Sequence, residues 1–373
     1  MYDVIIIGGG MVGAHSAYEF SRHKLKTVLL EREGIASGAS GRGGGLLLKG
    51  ATDVFSEEVV PHLVTNQQLL EQFIQDHHAE VDYLRGGSLY VSFEEDWEFT
   101  QKQVCKMNET GLPAEVWSAQ DLHKHVSNLT TKAIGGRFIP SDAQLSPPKL
   151  AAEFARIARK VGADIRTTSG VTSFLKDSKN RVIGVKTRQE TLYSGKIVLA
   201  TNAYAAQLIP ELKPIIIPTR GQAFLTAALP ASFPFACAAN YDLEYWRQTI
   251  DGNILFGGCR RFEEEVSNGA GTESVETSVV VQEALLRSFK SFFPRWSPIS
   301  IERAWGGTMA FTPDFRPLIG PLPGYPNVLI AAGFSGNCLP LVCIAGQMLR
   351  EIIRQGAPSL SSKPYEPGRF LAG

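Results

Sequence analysis

Five cysteines in 373 residues, an odd number with no CxxC pair, give poor support to a disulfide framework, an iron–sulfur cluster or a zinc site. Buried free thiols are the expectation for most of Cys105, Cys237, Cys259, Cys338 and Cys343. The seven histidines show no metal-ligand spacing, and His77-His78 reads as a helix end, so no metal is expected. An excess of either charge is also missing. Lysine plus arginine equals aspartate plus glutamate, 37 each, which removes any global field favouring nucleic acid or an anionic membrane. No uninterrupted apolar run is long enough to span a bilayer, and no internal repeat or low-complexity segment is visible. The first motif begins almost at Met1 with no basic leader before it, so the cytoplasm is the expected compartment.

What is present is concentrated at the start, MYDVIIIGGGMVGAHSAYEFSRHKLKTVLLERE. An apolar run, Val4 to Ile7, ends in Gly8-Gly9-Gly10-Met11-Val12-Gly13; a helical segment and a second apolar run, Thr27 to Leu30, then lead to Glu31. Strand, glycine turn, helix, strand and acid make the dinucleotide fingerprint. Gly8 allows the tight turn, Gly10 lets backbone approach a pyrophosphate, and Gly13 lets helix and strand pack closely. The helix N-terminus offers unpaired N–H groups to the phosphates, and Glu31 can accept from the ribose hydroxyls. The stretch GIASGASGRGGGLLLKG that follows suits backbone wrapped closely around a ligand.

Further along, residues 57–78, 96–109, 148–161 and 276–292 read as helices, and RGGSLYVSF as a strand. Strands are also expected at Ala163 to Thr168, Val182 to Thr187 and Lys196 to Thr201. Residues 214–263 read as an antiparallel sheet with a hairpin at Asp251-Gly252. The strand NVLIAAG, the turn Phe334-Ser335-Gly336-Asn337 and a helix from about Leu341 to Gln355 close the chain, again presenting a helix N-terminus to an electron-rich ligand. At this length two domains are the default, and the return of the βα pattern late in the chain makes the nucleotide domain discontinuous. The expected fold class is α/β with an α+β second domain. A Rossmann-like domain (1–80, 142–212 and 300–373) is interleaved with an antiparallel-sheet substrate domain (81–141 and 213–299).

On DVIIIGGGMVG, LLEREGIASGASGRGGGLL, VLATNAY, WGGTMAFTPDFRPLIGP and AAGFSGNC, nearly the whole chain resembles the flavoenzymes of the D-amino-acid oxidase type, in particular the glycine oxidase and sarcosine oxidase branch. The resemblance implies FAD, with its diphosphate over Gly8, Gly10, Met11, Val12 and Gly13 and its ribose at Glu31 and Arg32. The loop Ala39, Ser40, Arg42, Gly43, Gly44, Gly45 and Leu46 would pass around pyrophosphate and flavin, and Val171 would hold the adenine. The turn Gly333, Phe334, Ser335, Gly336, Asn337, Cys338 and Leu339 would lie against the pyrimidine side of the flavin. Gly307 stands where sarcosine oxidases carry a flavin-linked cysteine, so FAD should be noncovalent. Met309 stands where glycine oxidase places its carboxylate-binding arginine, and Pro340 where sarcosine oxidase has a lysine. Both carboxylate clamps are missing.

By the same resemblance Tyr245 is a substrate contact and catalytic candidate, and Arg260 lies near the lysine that promotes oxygen reduction. The alternative for Arg260 and Arg261 is pairing with Glu263 to Glu265 at a strand end. Arg247 is a candidate replacement clamp or a sheet arginine; Met309 and Gly336 line the substrate side. Trp305 reads as core in preference to a substrate cage, and Asp314 as an N-cap or turn acid, not a general base. The expected reaction is oxidation of a C–N bond of an amino acid or amine by hydride transfer to flavin N5, giving an imine that hydrolyses. Electrons would pass to oxygen or a separate acceptor, and a homo-oligomer or partner subunit is possible. Rival readings are the FAD subunit of a multi-subunit dye-linked dehydrogenase for proline, opines or similar secondary amines, an NAD-dependent dehydrogenase, and a non-catalytic flavin-binding module.

Overall fold

Val4–Ile7 and Thr27–Leu30 are apolar on both faces and buried throughout, the pattern of parallel strands covered on both sides. The computed structural model describes residues 1–51, 56–241, 243–263, 271–296 and 298–371. In it these strands lie inside an eight-stranded sheet whose main path is Leu318–Pro321, Val328–Ala332, Thr191–Leu199, Tyr2–Ile7, Thr27–Leu30 and Asp164–Arg166. From Val328–Ala332 to Asp164–Arg166 every pairing is parallel. Val182–Thr187 and Val171–Lys176 branch off antiparallel, so the expected strand at 163–168 joins the parallel layer and the one at 182–187 does not.

The helix Met11–Arg22 is buried at every position but its last, because it packs against both Pro147–Lys160 and Val342–Gln355. At the second crossing Gly346 makes room for His15; a Cβ there would fall 2.3 Å from His15 Nδ1. The expected helices at 57–78 and 96–109 are Val60–His77, capped by left-handed His78, and Trp97–Glu109.

The second sheet runs Ile301–Phe311, Ile217–Ala228, Asn253–Gly258, Glu244–Gln248, Ala236–Ala239, Ser88–Ser92, Gly135–Ile139 and Glu115–Ser118. Its pairings are antiparallel except between Ala236–Ala239 and Ser88–Ser92. The expected hairpin at Asp251-Gly252 is present, with Gly252 at φ 87°. Trp246, Phe256, Phe289, Phe292 and Phe293 pack one face of this sheet against the helix Val279–Phe292. Ile301–Phe311 begins the path of this sheet. Grouped by sequence with the nucleotide segment, it hydrogen-bonds along Ile217–Ala228 as the edge strand of the second sheet. A two-stranded ribbon, Leu46–Leu47 with Ala143–Gln144, lies apart from both sheets.

Candidate active site

Between the glycine turn and the second sheet is one cavity of about 600 Å³. Its nucleotide end is set by two steric facts. Gly8 has φ 107° and lies so near Ala200 that a Cβ would fall 2.6 Å from the Ala200 carbonyl oxygen, and a Cβ on Gly13 would fall 1.9 Å from the Gly8 oxygen. Only glycine fits either place, and the helix Met11–Arg22 thereby begins hard against the strand end. The Met11 N–H donates to Ser40 Oγ at 2.9 Å, which ties the glycine-rich loop to that helix start. Glu31 is buried and fixed by the Gly9 N–H on Oε2 at 2.6 Å and by the Glu33 N–H and Ser37 Oγ on Oε1 at 2.9 and 3.4 Å, leaving Oε2 a further lone pair. Thr201 Oγ1, on a lining residue, is buried with no protein partner. A buried hydroxyl left unpaired costs on the order of 1–3 kcal/mol, so a ligand atom is expected there.

The far end is formed by the turn after Val328–Ala332. Gly333, Ser335 and Gly336 all have positive φ (76°, 49° and 86°), and the Ser335 N–H donates to the Ala310 oxygen at 2.8 Å. The Gly333 N–H donates to Asn202 Oδ1 at 2.9 Å, joining this turn to VLATNAY. One expectation fails here. The Val342–Gln355 helix does not offer its first N–H groups to the cavity. Asn66 Oδ1 accepts from Cys343 N at 2.8 Å and Ile344 N at 3.3 Å, while Asn66 Nδ2 donates to the Leu339 oxygen at 2.9 Å. The cavity meets the turn and the single 3-10 turn Leu339–Leu341 instead.

Of the residues read from sequence as cofactor, substrate or catalytic contacts, all line this cavity except Gly13, Gly333 and Arg247. The two glycines act behind the wall, as described. Arg247 is buried, and its Nε donates to the Gly44 oxygen at 2.6 Å, so it holds the loop in place and does not face the cavity. Burial pushes its guanidinium down to about 10, which leaves it charged at neutral pH. Tyr245 lies between Gly44 and Gly257, and burial raises its phenol, opposed by the nearby Arg260 charge. Arg260 sits over Phe311, guanidinium carbon 5.1 Å from the ring centroid. Arg261 pairs with Glu244 at 2.5 Å and Glu263 with Arg220; Glu264 and Glu265 lie outside the described residues.

Trp305 is corrected from core to cavity wall. It is half-buried, its Nε1 donates to the Arg42 oxygen at 3.0 Å, and its edge-strand position turns it toward the loop. A Cβ on Gly307 would fall 2.9 Å from Arg42 Cβ, so loop and strand are packed together at that point. Met309 directs its sulfur between Gly221 and Gly336, where a clamp of the glycine oxidase kind would need a cation. Asp314 is the turn acid expected, accepting from the Arg316 N–H at 3.1 Å, and it also pairs with Arg369 at 2.8 Å. Thr201, Tyr204, Gln222, Thr308 and Phe315 also line the cavity and were not read from sequence. Only VLATNAY carried a signal for the first two. The charged residues lining the cavity are Glu31, Arg32, Arg42 and Arg260, with no histidine or aspartate among the described ones.

A dinucleotide cradle opening into a second, antiparallel sheet defines an oxidoreductase of the two-domain nucleotide-dependent class. The chain belongs to the DAO family of FAD dependent oxidoreductases, whose model matches residues 3–352, and FAD is its cofactor. It is 26% identical to hydrogen cyanide synthase subunit HcnC of Pseudomonas protegens, covering 99% of this chain and 96% of that one. It is 25% identical to gamma-glutamylputrescine oxidoreductase of Escherichia coli, covering 99% and 89%. Among solved structures, L-proline dehydrogenase from P. horikoshii superposes with a TM-score of 0.89 at 24% identity, covering 100% of this chain and 98% of that one. No helix among the described residues is long and apolar enough to cross a membrane.

Proposed function

We propose that this protein oxidises the C–N bond of an amine or amino acid, releasing an imine that water hydrolyses. The observation that carries the reading is the continuity of one cavity from the Gly8–Gly13 cradle to Tyr245, Arg260 and Met309 on the second sheet. The names of two similar proteins, a gamma-glutamylputrescine oxidoreductase and an L-proline dehydrogenase, support the amine class. FAD supplies a two-electron acceptor for the hydride lost from the substrate carbon.

The residues supply the rest. The Gly8–Gly13 turn, Glu31 and the 39–46 loop hold the cofactor without a covalent bond, since Gly307 has no side chain to make one. Tyr245, Trp305 and Met309 form an amphipathic wall that orients the substrate and keeps water out. With no histidine or aspartate among the described wall residues, no side-chain base is invoked; the amine binds deprotonated. The sheet pairings favour moving 301–311 into the substrate domain, with the remaining boundaries as expected from sequence. A partner subunit is a second reading, favoured by two relatives being named as subunits, HcnC and sarcosine oxidase subunit beta.

The test is anaerobic titration of the FAD-loaded protein with glycine, sarcosine, D- and L-amino acids, proline, opines and polyamines. Bleaching of the flavin by at least one of them, with the matching carbonyl product, is expected. A flavin left fully oxidised by every member of the panel overturns the proposal.

A further inference from the structure

The second sheet presents one cross-strand row to the cavity. In register, Trp305 faces Ala223, Ala223 faces Gly257, Gly257 faces Tyr245, Tyr245 faces Ala238, Ala238 faces Tyr90, and Tyr90 faces Arg137. Directly opposed residues point to the same side of a sheet. Trp305, Ala223, Tyr245 and Ala238 line the main cavity. Tyr90 and Arg137 line a side chamber of about 10 Å³ that shares Leu48, Ala51 and Ala238 with it. That chamber has room for about one water-sized group.

Like Arg247, Arg137 is a buried guanidinium with no ion pair among the described residues, and it differs in leaving its Nε–H unpaired. It is 6% exposed. Its guanidinium donates from Nη2 to the Gly50 oxygen at 3.0 Å and lies over the Tyr90 ring, 5.1 Å from the centroid. Among the described residues, the nearby acids are committed elsewhere. Asp96 accepts from the Tyr90 hydroxyl at 2.6 Å and the Phe93 N–H at 2.7 Å, and Asp142 pairs with Lys49 at 3.1 Å and accepts from Ser88 Oγ at 2.7 Å. A buried guanidinium with neither counter-ion nor a full set of acceptors is costly by itself.

We propose that Arg137 is the seat of a substrate carboxylate, taking the place of the two clamps this chain lacks. Its reach sets the substrate's shape. Adjacent strands are about 4.8 Å apart, so the guanidinium over Tyr90 lies roughly two strand steps, about 10 Å, from Tyr245. The carboxylate it takes is therefore at the far end of an extended chain, not on the carbon that is oxidised. One carboxylate oxygen fits the side chamber and accepts from Nε–H, and the chain runs back over Ala238 to the C–N bond beside Tyr245. Met309 in place of an arginine is then consistent, because a cation next to the reacting carbon has no partner in such a substrate. The inference rests on the amine reading for its chemistry, though not for its binding.

The test separates the two. FAD-loaded protein is titrated with straight-chain carboxylic acids from acetate to octanoate and with their primary amides, read by perturbation of the flavin spectrum and by melting temperature. At one preferred chain length the acid should bind about 10- to 100-fold tighter than its amide. Arg137→Gln should abolish that preference, and Arg137→Lys, with its different reach, should keep a preference but move the preferred length. Acids binding no tighter than amides in the unaltered protein would overturn the proposal, and so would an unchanged preferred length in Arg137→Lys. Neither outcome depends on Arg137→Gln folding. If acids bind in this pattern but no amine bleaches the flavin, the amine reading falls and the carboxylate seat stands. If amines bleach it and acids bind no better than amides, the reverse holds.

Discussion

The ring of Tyr245 occupies the space that a side chain on Gly257 would take: a Cβ there would fall 2.4 Å from Tyr245 Cζ and 2.5 Å from its hydroxyl oxygen. The two residues face each other across the strands Glu244–Gln248 and Asn253–Gly258, and the ring also meets Gly44 of the glycine-rich loop. Tyr245 is thus packed closely against two glycine backbones. Gly257→Ala should lift the ring by about an ångström and lower kcat/KM for the best amine by about 10- to 100-fold. FAD content should be unchanged, because Gly257 is not part of the nucleotide end. Loss of flavin in parallel with activity would show that the pair shapes the whole cavity and not the substrate side alone.

Noncovalent attachment is tested by the position of Gly307. It stands beside Arg42 with no room for even a methyl group, since a Cβ would fall 2.9 Å from Arg42 Cβ. Acid precipitation of the protein should therefore release all of its flavin into the supernatant. Gly307→Ala should push the 39–45 loop outward and weaken FAD binding by about 1–3 kcal/mol, measured by fluorescence titration of apoprotein. A yellow pellet after precipitation would contradict the arrangement.

What could be read from the sequence was what is local in it. The glycine turn, its helix and Glu31 form a contiguous unit, and that unit stands where its spacing placed it. Register across a sheet is a different matter. Tyr90, Arg137 and Ala238 come together through pairings between distant segments, one of them parallel, and no periodicity within any one strand reports them. Asn66 capping the helix Val342–Gln355 from 277 residues away is equally silent in sequence. Trp305 misread for a related reason, because an apolar residue on an edge strand looks the same whether its face meets the core or a cavity.

Acid sensitivity should come in part from His15. It is buried in the helix Met11–Arg22, its ring edge-on to Phe154 at 4.9 Å, with Gly346 pressed against it. Burial pushes its imidazole down to about 4, with Glu19 opposing and Arg22 adding to the shift. The unfolded chain binds this proton near pH 6.5 and the folded chain refuses it until about pH 4, so stability falls as pH drops through that window. The whole effect is on the order of 3 kcal/mol, and about 2 kcal/mol of it should be lost by pH 5. His15→Asn should be less stable at pH 7.5 yet lose less between pH 7.5 and 5, read from urea midpoints with FAD in constant excess. Equal losses in both proteins would remove His15 as a source of the effect.

Arg260 makes the last prediction, and the hardest to mimic by structural damage. Its guanidinium lies over Phe311, next to Tyr245, on the wall where the substrate side of the cavity begins. A cation placed there acts on negative charge that develops when the reduced cofactor gives up its electrons. The charge that hydride transfer would bring to the cofactor is spread over its ring system, so the cation matters less while a neutral amine is being oxidised. Arg260→Met keeps the length and much of the contact with Phe311 but removes the charge. It should slow reoxidation by oxygen about 10- to 100-fold while leaving flavin reduction by amine within a few-fold, measured in the two half-reactions by stopped flow. If the electrons go to a partner subunit instead, oxygen will be a poor acceptor in the unaltered protein, and the deficit will appear with an artificial dye. Equal slowing of both half-reactions would mean that Arg260 shapes the wall and does not act through its charge.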